Sequence, residues 1–218
     1  MSEMTLNNDV FTRELELESC NKLLTLYQQT IGDVSCVVWD AAIVLAKYLD
    51  FSCRNNNWLN GKKVLELGAG IGSVGMTAAC FGADVLMTDL EKAMPMLNKN
   101  AKLNQSHWKK SNGSVETEVL EWGKDLPKNF TPELVLLTDC VYYEESTTPL
   151  METLENLCTN NGTYVLMSQE KRDTPVQVKV WSSFKKSLEE RLKVTSIPLN
   201  QQHPVYSSSD IDLLKITK

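Results

Sequence analysis

The sequence predicts an α/β fold, a doubly wound, mostly parallel seven-stranded sheet carrying an N-terminal β-hairpin extension. Three observations predict it. From Lys62 onward, short apolar runs alternate with amphipathic stretches, the rhythm of strands joined by crossover helices. The first of these runs breaks on Gly68-Ala69-Gly70-Ile71-Gly72 and passes straight into a helical stretch, as a nucleotide-binding turn does. The last two runs have no helical stretch between them, so they are expected to form an antiparallel pair. At 218 residues there is room for one such unit, divided into an extension over 1–33 and an α/β domain over 34–218.

Each element has its own signal. Residues 1–10 are expected to fray. Leu15 and Leu17 alternate with Glu14, Glu16 and Glu18, the period of a half-buried strand. Cys20-Asn21 can turn the chain, and Leu24 and Leu26 alternate again, which completes a hairpin. After Val37-Val38-Trp39, apolar spacing from Asp40 to Leu49 suits a helix, followed by a polar, Asn-rich loop over 54–60. The strands of the main sheet are expected at 64–67, 84–89, 115–120, 133–138, 163–167, 194–199 and 211–217. Helices are expected at 73–81, 91–104, 148–158 and 175–192, with Gly82 stopping the first of these.

Composition excludes several classes. Charged residues make up 23% and hydrophobic residues 42%, ordinary for a soluble globular chain. The net charge is −6, and the densest basic spots are Lys109-Lys110 and Lys185-Lys186, too short for a nucleic-acid stripe. The six cysteines form no C-x-x-C pair, so neither a metal site nor a disulfide framework is expected. The first 20 residues carry no secretory signal, and no apolar run approaches the roughly 20 residues of a membrane span. A reducing location is expected, the cytoplasm first and the nucleus second. His107 and His203 stand in stretches that read as polar loops, which gives triad chemistry little support.

The glycine loop has a distal partner. Asp89 ends the second strand, 21 positions beyond Gly68, where an acid meets ribose hydroxyls. Two cofactor classes share this geometry. Dinucleotides bring a pyrophosphate to the turn and usually ask for a third glycine, where this chain has Ser73. Glu66, at the end of the first strand, would repel a pyrophosphate and welcome an amino group and a sulfonium. Charge therefore favours S-adenosylmethionine over NAD; the competing reading of Glu66 is a strand residue turned outward. Trp122, in Leu120-Glu121-Trp122-Gly123 past the third strand, stands where an indole can meet an adenine. Trp122 and Trp39 both read equally well as core packing.

The fourth strand runs out into Asp139-Cys140-Val141-Tyr142-Tyr143-Glu144-Glu145-Ser146. An acid beside aromatic rings at the carboxyl end of a strand can hold a cation. The competing reading makes Asp139 the cap of the next helix. Glu144 and Glu145 read as an acidic rim suited to a basic partner, and Cys140 as a packed thiol.

Taken together, VLELGAGIGSVGM, the acid in LMTDLE, LEWG and DCVYYEES resemble the lysine methyltransferases of family 16, within the class I seven-strand methyltransferases. The resemblance covers about residue 34 to the end. It implies a Rossmann-like methyltransferase domain over 34–218, S-adenosylmethionine as cofactor and a protein lysine as acceptor. The stretches CVVWDAAIVLAKYL and DCVYYEES look closest to the branch acting on the valosin-containing-protein ATPase, which makes that ATPase the best candidate partner. By the same resemblance, Trp39 touches the cofactor, and Gly68, Ala69 and Gly70 run their backbone along it. Asp89 holds the ribose, Trp122 meets the adenine and Thr138 lies alongside. Asp139 and Tyr142, the family's D-x-x-Y pair, shape the lysine channel. One departure stands out: relatives often place an aromatic residue before the acid that follows the fifth strand, and this chain has Ser168-Gln169-Glu170-Lys171-Arg172.

The chemistry fits that reading. A lysine in water has a pKa near 10.4, and only its neutral amine attacks a methyl group. A nearby sulfonium favours loss of the proton; an aspartate favours keeping it. Asp139 is therefore expected to capture the ammonium and aim its nitrogen, with the proton leaving through water. The Tyr142 ring can attract ammonium, methylated forms included. The alternatives are a methyltransferase of the same fold acting on a small molecule, a non-catalytic cofactor-binding module, and an NAD-dependent dehydrogenase.

Overall fold

The computed structural model describes residues 10–159 and 162–218. The expected fraying therefore lies outside the described residues except at Val10, which already begins a strand. In chain order the elements are β1 (Val10–Leu17), β2 (Lys22–Gln29), α1 (Asp40–Cys53), β3 (Lys63–Leu67), α2 (Ser73–Cys80), β4 (Asp84–Asp89), α3 (Met94–Lys109), β5 (Ser114–Val119), β6 (Leu134–Thr138), α4 (Glu144–Cys158), β7 (Tyr164–Glu170), α5 (Pro175–Arg191), β8 (Lys193–Ser196) and β9 (Ile211–Thr217).

The main sheet has the order β5-β4-β3-β6-β7-β9-β8. The first five strands in that order are parallel, while β9 runs antiparallel to both β7 and β8. The order reverses between β3 and β6, so a crevice opens beyond their carboxyl ends. Strand pleat sorts the core. Val64, Leu134 and Leu136 join the cluster under α1, α2 and α3, while Leu65, Leu67, Val135 and Leu137 join the cluster under α4 and α5. Both faces are covered, which is why these strands read as unbroken apolar runs.

The β1–β2 hairpin turns on Asn21, whose φ of 51° an asparagine tolerates. Leu15, Leu17, Leu24 and Leu26 enter the same core as α1 to α3. The outer edge of β2 finds a surrogate strand in two asparagines four apart on α3. Asn104 accepts from the Thr25 N–H at 2.9 Å and donates to its carbonyl at 2.9 Å. Asn100 does the same for Tyr27, at 2.7 and 3.0 Å. Both asparagine side chains are buried, and their bonds pair the backbone groups of the half-buried Thr25 and Tyr27. From α1, Asp50 accepts the N–H groups of Glu18 and Ser19, and the buried Lys47 ammonium donates to the Glu16 carbonyl at 2.7 Å and to the Glu18 carboxylate at 2.9 Å.

Several boundaries differ from the sequence expectation, as do the settings of both histidines. α4 begins at Glu144, a turn before Thr148, because Glu144 and Glu145 suit the positive end of a helix better than a loop. α3 runs on past 104 to Lys109, because Trp108 is buried in the core. His107 is therefore helical. His203 is buried, between the rings of Phe51 and Tyr206, rather than in an open loop. No helix among the described residues is long and apolar enough to cross a membrane.

Candidate active site

A cavity of about 530 Å³ occupies the crevice at the β3/β6 switch point, a volume suited to a small organic ligand. Of the ten residues singled out from the sequence, nine line it: Trp39, Gly68, Ala69, Gly70, Asp89, Trp122, Thr138, Asp139 and Tyr142. Glu66 does not.

The floor is the glycine turn after β3. Gly68 has a φ of +62°, and a Cβ there would stand 2.6 Å from the Cys140 sulfur and 3.1 Å from the Trp122 ring. Only glycine lets the backbone pass between those two side chains. Cys140 is fully packed beside the turn, and burial pushes its thiol well above the ordinary range, so it stays protonated and inert. Asp89 leaves the end of β4 and accepts from the Gly70 N–H at 2.7 Å and the Leu90 N–H at 2.7 Å. Burial raises its carboxyl, while those two backbone donors favour the ionised form. Each oxygen keeps a lone pair for a hydroxyl donor.

Glu66 corrects the expectation of a carboxylate facing the cofactor. Pleat alternation sends its side chain to the α2 face of the sheet, where it is 2% exposed. Its Oε2 accepts from the Gly75 N–H at 2.9 Å, the third residue of α2 and one of the helix's unpaired N–H groups. The glycine turn supplies no side-chain cap of its own, so Glu66 caps the helix from beneath. Gly75 must be glycine for this, since a Cβ would stand 2.3 Å from Oε2. Burial pushes the Glu66 carboxyl up to about 8, so at neutral pH it is mostly uncharged.

The charge that does face the cavity comes from Asp33, Asp89, Glu121, Asp139 and Glu145, against Lys92 and Arg172. The carboxylates are in excess, which draws in cationic ligands. One wall is the segment before α1. Trp39 precedes the helix, 37% exposed, with its Nε1–H on the Val34 carbonyl at 2.9 Å. Asp33 pairs with Lys92 at 2.7 Å, tying that segment to the chain after β4. The pairing holds the Asp33 carboxyl below its usual range and the Lys92 amine above.

Asp139 is not a helix cap: α4 starts at Glu144, and the residue before it makes no side-chain cap bond. Its φ of 51° turns the chain sharply off β6 and sends the carboxyl into a web of donors. Oδ1 accepts from Gln169 Nε2 at 2.9 Å and from the Glu170 N–H at 3.2 Å, and Oδ2 accepts from Arg172 Nη2. Burial raises this carboxyl, while the Arg172 guanidinium opposes the rise. Tyr142 stands beside it, edge to face with the exposed Tyr143 at 4.6 Å. Burial raises the Tyr142 hydroxyl, which keeps it a neutral phenol.

Gln169 and Arg172 belong to the stretch where relatives place an aromatic residue, and sequence reasoning gave neither a role. The spacing from Asp139 hides them, because only the β6–β7 pairing of Thr138 with Ser168 brings the two strand ends together. Lys92 and Asp33 were missed for the same reason. Among the described residues, no group of three or more His, Cys, Asp or Glu side chains is placed to hold a metal ion.

Comparison with known proteins gives the same picture at three levels. A protein family described as lysine methyltransferase matches residues 18–190. The chain is 34% identical over 176 residues to the protein N-lysine methyltransferase METTL21A of Mus musculus, covering 79% of this chain and 75% of that protein. It is 36% identical over 173 residues to the EEF1A lysine methyltransferase 3 of Mus musculus, covering 77% and 70%. Among solved structures, magnesium protoporphyrin IX methyltransferase from Synechocystis PCC 6803 with bound SAH superposes with a TM-score of 0.56 at 14% identity, covering 82% of this chain and 84% of that one. A 16S rRNA methyltransferase of T. Thermophilus in complex with AdoMet superposes with a TM-score of 0.65 at 15% identity, covering 98% and 52%. These two likenesses establish the fold.

Proposed function

The chain belongs to the lysine methyltransferase family and is an S-adenosylmethionine-dependent protein-lysine methyltransferase, and we propose that the protein it modifies is the valosin-containing-protein ATPase. This substrate is supported by the resemblance of CVVWDAAIVLAKYL and DCVYYEES to the branch acting on that ATPase, and both stretches line the one cavity, through Trp39 and through Asp139 and Tyr142. The location that goes with it is the cytoplasm.

The residues fit the cofactor. The turn at Gly68 to Gly70 is a backbone cradle that a Cβ would fill, Asp89 offers acceptors beside it, and Trp122 presents an indole. When bound, the cofactor supplies an electrophilic methyl group on a positively charged sulfur. The chain's own part is to receive a lysine beside Asp139, hold its nitrogen in line and let its proton pass to water. Asp139 would hold that nitrogen facing the cradle of Gly68 to Gly70, where the cofactor would supply the methyl group. Holding two reactants in line is the largest contribution a site of this kind makes to a simple displacement. The Tyr142 ring keeps a mono- or dimethylated ammonium attracted after its hydrogen-bond donors have been lost.

The name of one relative carries a second reading of the substrate, the elongation factor EEF1A. Purified ATPase and purified EEF1A, each incubated with labelled S-adenosylmethionine and this enzyme, separate the two. Methyl-lysine on the ATPase alone, located by mass spectrometry, supports the proposal; label on EEF1A with the ATPase blank overturns it.

A further inference from the structure

Asp139 does not act as a lone carboxylate. Its Oδ2 is bonded by Arg172 Nη2, the Arg172 Nη1 reaches the Glu170 carboxylate at 2.9 Å, and the guanidinium lies 5.1 Å from the centroid of the Trp39 ring. Two carboxylates and an indole hold this cation in place, while it also lines the cavity that receives the lysine. A planar, always-charged fork suits such a site better than a flexible ammonium. Among the described residues, Asp40 at the start of α1 adds negative charge near both Asp139 and Glu170, and Asp210 before β9 adds more near Glu170.

That arrangement resolves a conflict. A cluster of acids binds a lysine ammonium well and, for the same reason, resists its loss of a proton. Efficient transfer needs the first without the second. We propose that Arg172 is a positioning residue that acts through Asp139, fixing the carboxylate toward the lysine and offsetting enough of its charge for the bound lysine to give up its proton. Glu170 works in the opposite sense, adding negative charge and anchoring the guanidinium. The inference rests on the reading of Asp139 and Tyr142 as the lysine channel.

The signs follow from Coulomb's law. Removing the cation in Arg172→Gln leaves the acids unbalanced, stabilises the ammonium and moves the rising limb of kcat against pH to higher pH. Removing an acid in Glu170→Gln moves it to lower pH. At an effective dielectric of about 20, one charge about 6 Å away is worth roughly 2.8 kcal/mol and shifts the limb by roughly two pH units. The limb of kcat is the right one, since it reports groups in the bound complex. Arg172→Lys keeps the charge without the fork and is expected to keep the wild-type limb while losing rate.

The experiment measures kcat against pH on saturating valosin-containing-protein ATPase for wild type, Arg172→Gln, Arg172→Lys and Glu170→Gln. Titration calorimetry of the same pairs, without cofactor, gives the affinity for substrate. Opposite limb displacements for the two Gln variants, with the limb of Arg172→Lys left where wild type has it, support the proposal. Arg172→Gln and Arg172→Lys losing rate alike with an unmoved limb would overturn it in favour of a purely structural cation. Tighter substrate binding by Arg172→Gln with an unmoved limb would overturn it too, making Arg172 a placeholder that the substrate expels. If wild type makes no methyl-lysine on the ATPase or on any protein of a cell extract, the channel reading falls and this inference with it.

Discussion

Glu66→Gln is the substitution whose effect the structure specifies most closely. The folded chain holds this carboxyl at about 8, against 4.5 for an unperturbed glutamate, and the cause is complete burial. Below pH 4.5 both folded and unfolded chains keep the proton and the group costs nothing. Between 4.5 and 8 the unfolded chain releases the proton and the folded chain does not, so stability falls as pH rises; above 8 the loss levels off. At ~1.36 kcal/mol for each pH unit crossed, the wild type has given up about 3 kcal/mol at pH 7 and about 5 kcal/mol at pH 9. A glutamine in the same place keeps an oxygen for the Gly75 N–H and has no proton to lose. Thermal melts of the cofactor-free protein are the assay. The two melting temperatures should lie close together at pH 5 and separate with rising pH, the variant ending higher by on the order of 10 °C at pH 8 for a chain of this size. Every other titrating group is shared, so the difference isolates Glu66. Parallel melting curves across pH 5 to 9 would refute the buried, protonated carboxyl and return Glu66 to the role of a charged cofactor contact.

Two further outcomes follow from the packing. Gly68→Ala sets a Cβ 2.6 Å from the Cys140 sulfur at a φ of +62°, so it should displace Trp122 and weaken cofactor affinity, by calorimetry, about tenfold or more; adding Cys140→Ala should recover part of the loss. Asn104→Ala strips both partners from the half-buried Thr25 backbone and should cost about 2 kcal/mol in denaturant unfolding with little effect on cofactor affinity; a change under about 0.5 kcal/mol would mean that β2 does not need its surrogate strand.

The central strands β3, β4, β6 and β7 were legible because buried parallel strands leave short apolar runs. The cavity floor was legible for a related reason: the glycine turn and Asp89 belong to consecutive strands, so their spacing survives in the sequence. What did not show is what depends on pairs far apart in the chain. Arg172 meets Asp139 only because β6 and β7 lie side by side, and Lys92 meets Asp33 across the cavity mouth. Asn100 and Asn104 read as ordinary polar helix residues until β2 is placed against them. Glu66 is the instructive case. Its neighbours suggested a cofactor contact, yet the pleat had already assigned it, with Val64, to the face that α2 covers. The start of α4 was not legible either: the expected helix opens at Thr148, and the chain is already helical at Glu144, four residues earlier.

The central claim is that Asp139, beside Tyr142 and the cofactor cradle, receives a substrate lysine. Asp139→Asn tests it most directly. The measurement is transfer of labelled methyl from S-adenosylmethionine to protein, by wild type and variant, alongside the variant's cofactor affinity. The account predicts that transfer falls at least about a hundredfold while cofactor affinity stays within a few fold, because the carboxylate serves the lysine and the glycine turn serves the cofactor. Near-normal turnover by the variant, or loss of cofactor binding in step with activity, would contradict it.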